Sequence, residues 1–546
     1  EGQPDIGARE FTITPENRPP SIPFSRWYAN LGDTARIPRN ICCLDDDSVS
    51  ITLMGEGRVA GDTLIFFADS PGTHFVNLLL DDGTESTMAF LDIIVQSQIA
   101  GRISGTLTEE HSPYYVVGNV NVLEGDTLLI DGCVTLKLNP FTGINVQDGG
   151  VLIARGEDEC PVTITAADTI LGHEGISVTG KHTVLDLENA VLEFGRPQFP
   201  DLEHNGGLIR CYSSNRMNIT DTELRKSIAD LGGAVYVADR SEVAIEGAVF
   251  AENEAVQGGG LYLTNSIIEM DNSVFERNTA FTAAGLMVNK HYGSDVILHS
   301  GLTFRDNTAN SAAAVYLYRH SADFAGFNME DNTAEDGSVF STDSSIVAFS
   351  EFLVQNNVGE TLVDMDCGML SLIRGEVLGN NVSTIFDIDT TILMADRVLV
   401  DGNMGLVFDL NNCDATFENC IIARNDKPFD IFGGMFRMCN ITTYINEDEE
   451  LITLGGGTKG AVVNSVIWDV DATVFCDDCS LYVSNCIIPD MDFDGYSEGS
   501  YVRDVNPRLS ADMEPLEFSP VIDEGLNVFS TYLGSIIAPN LDYYGN

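Results

Sequence analysis

The sequence predicts an all-β chain, most of it wound as a right-handed parallel β-helix behind a small β-sandwich. Three observations carry this. One short phrase, an apolar residue followed by two variable positions and asparagine, returns along the middle of the chain at a nearly constant interval. Between its copies the apolar residues fall in short period-two runs broken by Gly, Asn, Asp and Ser, and no stretch carries a sustained 3.6-residue stripe. Two or three such runs per interval are too few for a propeller blade and include no helix for a helical repeat.

The phrase reads Phe250 with Asn253, Phe275 with Asn278, Phe304 with Asn307, Met329 with Asn332, Leu353 with Asn356, Val377 with Asn380, Val400 with Asn403 and Ile422 with Asn425. Successive asparagines lie 25, 29, 25, 24, 24, 23 and 22 residues apart. In a parallel β-helix each coil stacks on the next at roughly 4.8 Å, so residues in phase form columns. The apolar residue is then an inward row. The asparagine sits at a turn, where it tolerates left-handed backbone and bonds along the stack. Small pairs five and six positions later, Gly258-Gly259, Ala283-Ala284, Ala312-Ala313 and Gly337-Ser338, mark a corner where backbones approach closely. Leu224 and Ser227 form an earlier, degenerate copy. The long interval contains residues 289–295, read as a loop thrown out from one corner.

Gly232-Gly233-Ala234-Val235 together with the Phe-x-x-Asn phrases resembles the repeats of chlamydial polymorphic outer membrane proteins and related bacterial surface β-helices. The resemblance covers about 200 residues and implies a fold and a surface location without an activity. After Asn356 the Gly-Gly-Ala half fades and only the spacing continues.

The rest divides in order. Residues 1–11 contain Asp5-Ile6-Gly7-Ala8, which resembles a phrase that closes many secreted bacterial β-helix modules. The phrases at 519–525 and 541–546 resemble the segments that normally precede that closing one, so tail and head of the chain together rebuild one family terminus. Either the chain is one unit of a tandem array, or residues 1–11 complete a neighbouring copy, or they pack within their own chain. The first two imply copies of the chain joined head to tail. Residues 12–98 hold a segment at 71–83 and an alternating run at 89–95 that resemble the closing strands of cadherin-like and polycystic-kidney-disease-type Ig sandwiches. Residues 101–525 form the β-helix, with room for roughly 17 coils and ~80 Å of length, and 526–546 form a capping or joining segment.

Composition narrows the function classes. Lys and Arg number 28 against 83 Asp and Glu, a formal charge of −55. That field disfavours nucleic acid, anionic lipid and acidic polysaccharide as partners unless cations mediate the contact. No apolar run approaches the ~18 residues of a membrane span. There is no initiating methionine or signal peptide, so the chain reads as a mature or excised piece. Twelve cysteines favour an oxidising, extracellular or cell-surface setting. Cys133 and Cys160 lie about one coil apart, and Cys413 and Cys420, like Cys479 and Cys486, lie seven apart. Cys476 and Cys479 form a lone Cys-x-x-Cys, open to zinc or to a disulfide. Sequons occur at Asn218, Asn381 and Asn440.

Two sets of residues bear on chemistry. Asp490, Asp492 and Asp494 followed by Gly495, with Glu498 nearby, match the first half of a calcium loop, but Tyr501 stands where the closing carboxylate belongs, so calcium and an acidic surface turn both remain open. No Asn-Thr-Asp, Gly-His-Gly or Arg-x-Lys constellation of the β-helix carbohydrate enzymes is present, and no adjacent coils present matched Asp and Arg. The expectation is therefore a structural or adhesive extracellular protein with no catalytic residues. Two alternatives are a carbohydrate-active enzyme and a passive glycan binder.

Overall fold

In the computed structural model, strands alternate inward and outward side chains, and left-handed residues or glycines turn the chain through each corner. The description covers residues 19–538 except 23–24, 39–48, 62, 199–203, 214, 290–296, 449, 469–472, 489, 511–512, 518, 521–524, 526–527 and 532–533. The result is a parallel β-solenoid of about 15 turns, slightly fewer than the expected 17, in part because two early coils, from Val151 to Val184 and from Val184 to Arg216, are longer than the rest. The one helical segment among the described residues is a single turn, Glu109–His111. No helix among them is long and apolar enough to cross a membrane.

The inward row predicted from the repeat is present. Phe250, Phe275 and Phe304 pair in register on successive coils. Their rings stack with centroids 4.5 and 4.9 Å apart and planes 3° and 7° from parallel. Each is fully buried. Below them the column continues through Met329, Val354, Val377, Val400 and Ile422.

The asparagines form a continuous buried ladder. From Asn253 to Asn403, Nδ2 donates to Oδ1 of the next asparagine and to the carbonyl of the apolar residue in the coil before. Asn307 thus donates to Asn332 at 2.9 Å and to Phe275 O at 2.8 Å, while its backbone N–H also donates to Asn332 Oδ1. The amide supplies two N–H donors and an acceptor oxygen together, whereas aspartate would set oxygen against oxygen. Ser227 begins the ladder by donating to Asn253 Oδ1, and Asn446 receives it from Asn425.

Two details of the repeat are corrected. The rung in the doublet Asn356-Asn357 is Asn357, bonded to Asn332 and Asn380, and its apolar partner is Val354 rather than Leu353. The left-handed residue is not the ladder asparagine but the one before it: Glu252, Arg277, Asp306, Asp331 and Asn356 have φ between 52° and 56°. The ladder side chain needs ordinary backbone to point inward, so the reversal falls one position earlier. The glycine corner is as tight as its small residues imply. A Cβ on Gly233 would lie 2.2 Å from Gly259 O, and one on Gly259 would lie 2.4 Å from Ala284 O. Residues 290–295 of the expected loop lie outside the described residues, as do 1–11 and 541–546.

From Ile228 to Ala334 each coil carries an extra short strand. Ile228–Leu231, Glu254–Gln257, Thr279–Thr282, Thr308–Ser311 and Thr333–Ala334 form a separate five-stranded sheet along one side. Once it ends the coils shorten: the ladder intervals run 25, 29, 25 and 25, then 23, 23, 22 and 21.

At the N-terminal side, Ser50–Met54, Gly72–Asp81 and Ser86–Arg102 form an antiparallel sheet edged by Arg26–Asn30, and Thr34–Pro38, Thr63–Phe67 and Arg58–Ala60 form a second. Ile37, Leu64, Phe66, Leu78, Leu91 and Ile93 are buried in a core of their own. The strand Ser86–Arg102 leaves this sandwich and pairs with Tyr114–Val122 as the first rung of the solenoid, so one strand belongs to both bodies.

Cys133 and Cys160 are disulfide-bonded across a Cα separation of 4.6 Å. Cys476 and Cys479 are bonded to each other, which occupies the thiolates that zinc would need. Cys413, Cys420, Cys439 and Cys486 are free and buried, and burial pushes the last three up to about 12. They are inert core residues.

The ladder makes a sharp prediction. Asn357→Ala removes several buried hydrogen bonds and should cost about 2–4 kcal/mol in denaturant unfolding. Asn356→Gly, at a left-handed corner, should change stability by less than about 0.5 kcal/mol.

Candidate functional site

A strand whose alternate residues point inward must send the others outward, so the register that aligns the phenylalanines also aligns an outer column. On one sheet this column runs Ser177, Arg210, Tyr236, Tyr262, Met287, Tyr316, Ser341, Asp364, Asp387, Asp409 and Asp430. Two residues further along the same strands lies a second column of Tyr318, Asp343, Asp366, Asp389 and Asn411. Seven aspartates therefore share one outer face over five coils.

The two halves of the first column have different surroundings. Tyr236 and Tyr262 are 7% and 5% exposed, with parallel rings 5.5 Å apart, and they pack with Ala283, Ala312 and Leu231 at the foot of the side sheet. Tyr262 Oη accepts from Asn289 Nδ2 at 2.9 Å. Toward the last two strands of that sheet the face opens. Tyr316, Tyr318, Ser341 and Asp343 are half-buried, Asp366 is exposed, and Asp364, Asp387, Asp389, Asp409 and Asp430 are half-buried.

Crowding of like charge sets the electrostatics of the open strip. Burial, followed by the fields of Asp387 and Asp366, pushes Asp364 up to about 6. Burial and the fields of Asp387 and Asp430 push Asp409 up to about 6 as well, and Asp387 between them is raised by burial and by Asp389. Ser341 Oγ donates to Asp364 Oδ2 at 3.3 Å. Lys427 approaches Asp430 at 3.4 Å, and cationic compensation is otherwise thin. Near neutral pH such a strip is an array of half-desolvated acceptors, some of which regain a proton under mild acid. It can bind hydroxyl groups or cations, and a protonated member can donate.

The sequence-predicted calcium residues lie elsewhere. Asp490, Asp492, Asp494 and Glu498 fall on the last strand of the stack, Asp490–Arg503, in register with Thr473, Phe475, Asp477 and Tyr482. The backbone there is extended, with a register shift next to Gly495, rather than coiled as a loop. Among the described residues no group of three or more His, Cys, Asp or Glu side chains is arranged to hold a metal ion.

The strip was accessible to sequence reasoning. Asp364, Asp387, Asp409 and Asp430 are 23, 22 and 21 residues apart, the same shortening period as the ladder. A search for matched Asp and Arg passes over a column of like charge.

No family model matches the sequence. The metabotropic glutamate receptor-like protein R of Dictyostelium discoideum is 22% identical over 219 residues, which is 38% of this chain and 12% of that protein. Among solved structures, a mutant tailspike protein of E. coli bacteriophage HK620 in complex with pentasaccharide is 11% identical, with 70% of this chain and 68% of that one covered and a TM-score of 0.24. The siphovirus 9NA tailspike receptor binding domain is also 11% identical, with 77% and 75% covered and a TM-score of 0.25. The periplasmic alginate epimerase AlgG is 12% identical, with 84% and 93% covered and a TM-score of 0.21. With TM-scores this low, none of these likenesses bears on the site.

The strip predicts an inverted pH dependence. A carboxyl with a raised folded pKa stabilises fully below its unfolded value near 3.9 and loses that contribution as pH rises through about 6. Asp387→Asn should therefore stabilise the fold at pH 7.5 by on the order of 1 kcal/mol after allowance for solvent screening, seen as a higher melting temperature. The gain should vanish by pH 4 in parallel thermal scans.

Proposed function

We propose that this chain is an extracellular adhesive scaffold: a rigid solenoid that presents its aspartate strip, edged by Tyr316 and Tyr318, to the hydroxyl groups of a glycan. The observation that carries this is the in-register accumulation of seven aspartates on one open face, at an electrostatic cost that core packing does not require. Aromatic rings beside acceptor groups suit polyhydroxylated ligands, which offer apolar ring faces and donors together. The two disulfides agree with an oxidising exterior. The Phe-x-x-Asn repeat supports kinship with bacterial surface β-helices, and the two-sheet N-terminal body is compatible with an Ig-like module.

End-to-end joining of copies belongs to the same reading. Among the described residues, the outer edges of the first rung, at 97–102 and 105–107, and of the last, Asp490–Arg503, pair with no further strand. Unpaired edges of this kind invite another chain. Calcium at Asp490, Asp492, Asp494 and Glu498 would stiffen one of these edges.

The second reading is a carbohydrate-active enzyme, favoured by Asp364 and Asp409, each held up at about 6 on either side of Asp387, where a protonated carboxyl can act as acid beside an ionised one. A panel of neutral and acidic glycans scored for both affinity and bond cleavage decides between the two. The scaffold should bind without releasing reducing ends and lose at least tenfold in affinity in Asp387→Asn/Asp409→Asn. Release that disappears in that variant would establish the enzyme, and no binding at all would remove both. Calcium should raise the melting temperature over a chelator-treated sample, and the rise should disappear in Asp490→Asn/Asp492→Asn/Asp494→Asn. Electron micrographs should show end-to-end filaments.

A further inference from the structure

Arg210 is the only arginine or lysine among the described residues that is buried, at 8% exposure. It sits on the strand Ile209–Cys211, on the outer column, between Ser177 of the coil before and Tyr236 of the coil after. A buried guanidinium normally carries a carboxylate in its fork. Arg210 has no ion-pair partner among the described residues, and its Nη1, shut off from solvent, has no hydrogen-bond partner. The nearest acidic influence is Glu174, 3% exposed, whose Oε1 is engaged by the backbone N–H of Gln198 at 2.9 Å. The field of Glu174 reaches Arg210 without a direct bond. Burial nevertheless dominates both groups, lowering the pKa of Arg210 and raising that of Glu174.

A full positive charge taken out of water with a donor unmade is costly unless something else supplies the acceptor and the charge. We propose that Arg210 is the seat for the carboxylate group of a small ligand, with Glu174 beside it and Tyr212 and Tyr236 flanking it. A carboxylate matches the planar fork and brings one negative charge. A phosphate would bring nearly two toward Glu174 in a chain of net charge −55, and a cation is repelled by Arg210 itself. Water would satisfy the nitrogen but leave the charge uncompensated. This seat lies coils away from the aspartate strip and stands independently of its function.

The test is calorimetric titration and thermal shift on the full chain with acetate, glucuronate, glucose and inorganic phosphate at constant ionic strength. Acetate and glucuronate should bind and raise the melting temperature, whereas glucose and phosphate should not. Glucuronate binding more tightly than acetate identifies a sugar acid, and equal affinity identifies the carboxylate alone; both uphold the seat. Arg210→Gln should weaken carboxylate binding at least tenfold while leaving the ligand-free protein no less stable, because the uncompensated charge is gone. Should that variant fail to fold, Arg210→Lys, which keeps the charge without the fork, should still weaken both carboxylates severalfold. No shift with either carboxylate means that water satisfies Nη1, and the proposal falls. It falls equally if phosphate binds as well, or if binding survives both substitutions.

Discussion

The asparagine ladder is the constraint on which the rest depends. Each rung ties the backbone of its own coil to the side chain of the next and to a carbonyl of the one before, so a coil cannot slip by a residue without breaking bonds on both sides. A slip of one residue in any strand would send its whole inward set to solvent. Coil lengths from 21 to 29 residues are tolerated because the ladder fixes phase at one corner and leaves the others to absorb the difference.

Fixed phase stacks like on like, which has opposite consequences on the two sides of a strand. Inside, Phe386, Phe408 and Phe429 stack with centroids 4.9 and 5.4 Å apart. Full burial of each contributes about 2–3 kcal/mol, with about 1 more from the ring contact. Outside, on the same strands, Asp387, Asp409 and Asp430 stand in register and repel one another by about 1 kcal/mol per neighbouring pair after screening. The interior wins by several-fold, so the fold can carry the strip. Folding gains nothing from it, however, and asparagine or threonine would serve the surface without the repulsion. Residues that cost stability where nothing structural requires them are the ones that point to function.

How much of this was legible follows from the same logic. The Phe-x-x-Asn phrase exposed the inward row because burial and hydrogen bonding both demand particular residues at particular spacing. The doublet Asn356-Asn357 misled by one position, since either asparagine satisfies the pattern and only the neighbouring rungs choose between them. The left-handed position was displaced for a similar reason: Glu252, Arg277, Asp306 and Asp331 are charged residues of the kind found on any exposed turn of this chain, and none is glycine or asparagine, so nothing in the sequence marks their backbone. Arg210 was not legible at all, because its isolation comes from burial in three dimensions and no neighbouring residue announces it. The aspartate columns were legible in spacing but not under a search for opposite charges.

The fading of the Gly-Gly-Ala phrase after Asn356 acquires a structural meaning. Gly232-Gly233, Gly258-Gly259 and Ala283-Ala284 serve the corner through which each coil enters from the side sheet, and that sheet runs only from Ile228 to Ala334. Where it stands, it walls the outer column, and the residues there are those that tolerate burial: Tyr236, Tyr262 and Met287. Where it stops, each coil loses two or more residues, the small pair has no corner to serve, and the outer column, after Ser341 in the last walled coil, turns to Asp364, Asp387, Asp409 and Asp430. Repeat length, loss of a glycine motif and the switch from aromatic to acidic are thus one event, the end of the side wall. The open acidic face begins at that point because only there can half-hydrated carboxylates be accommodated.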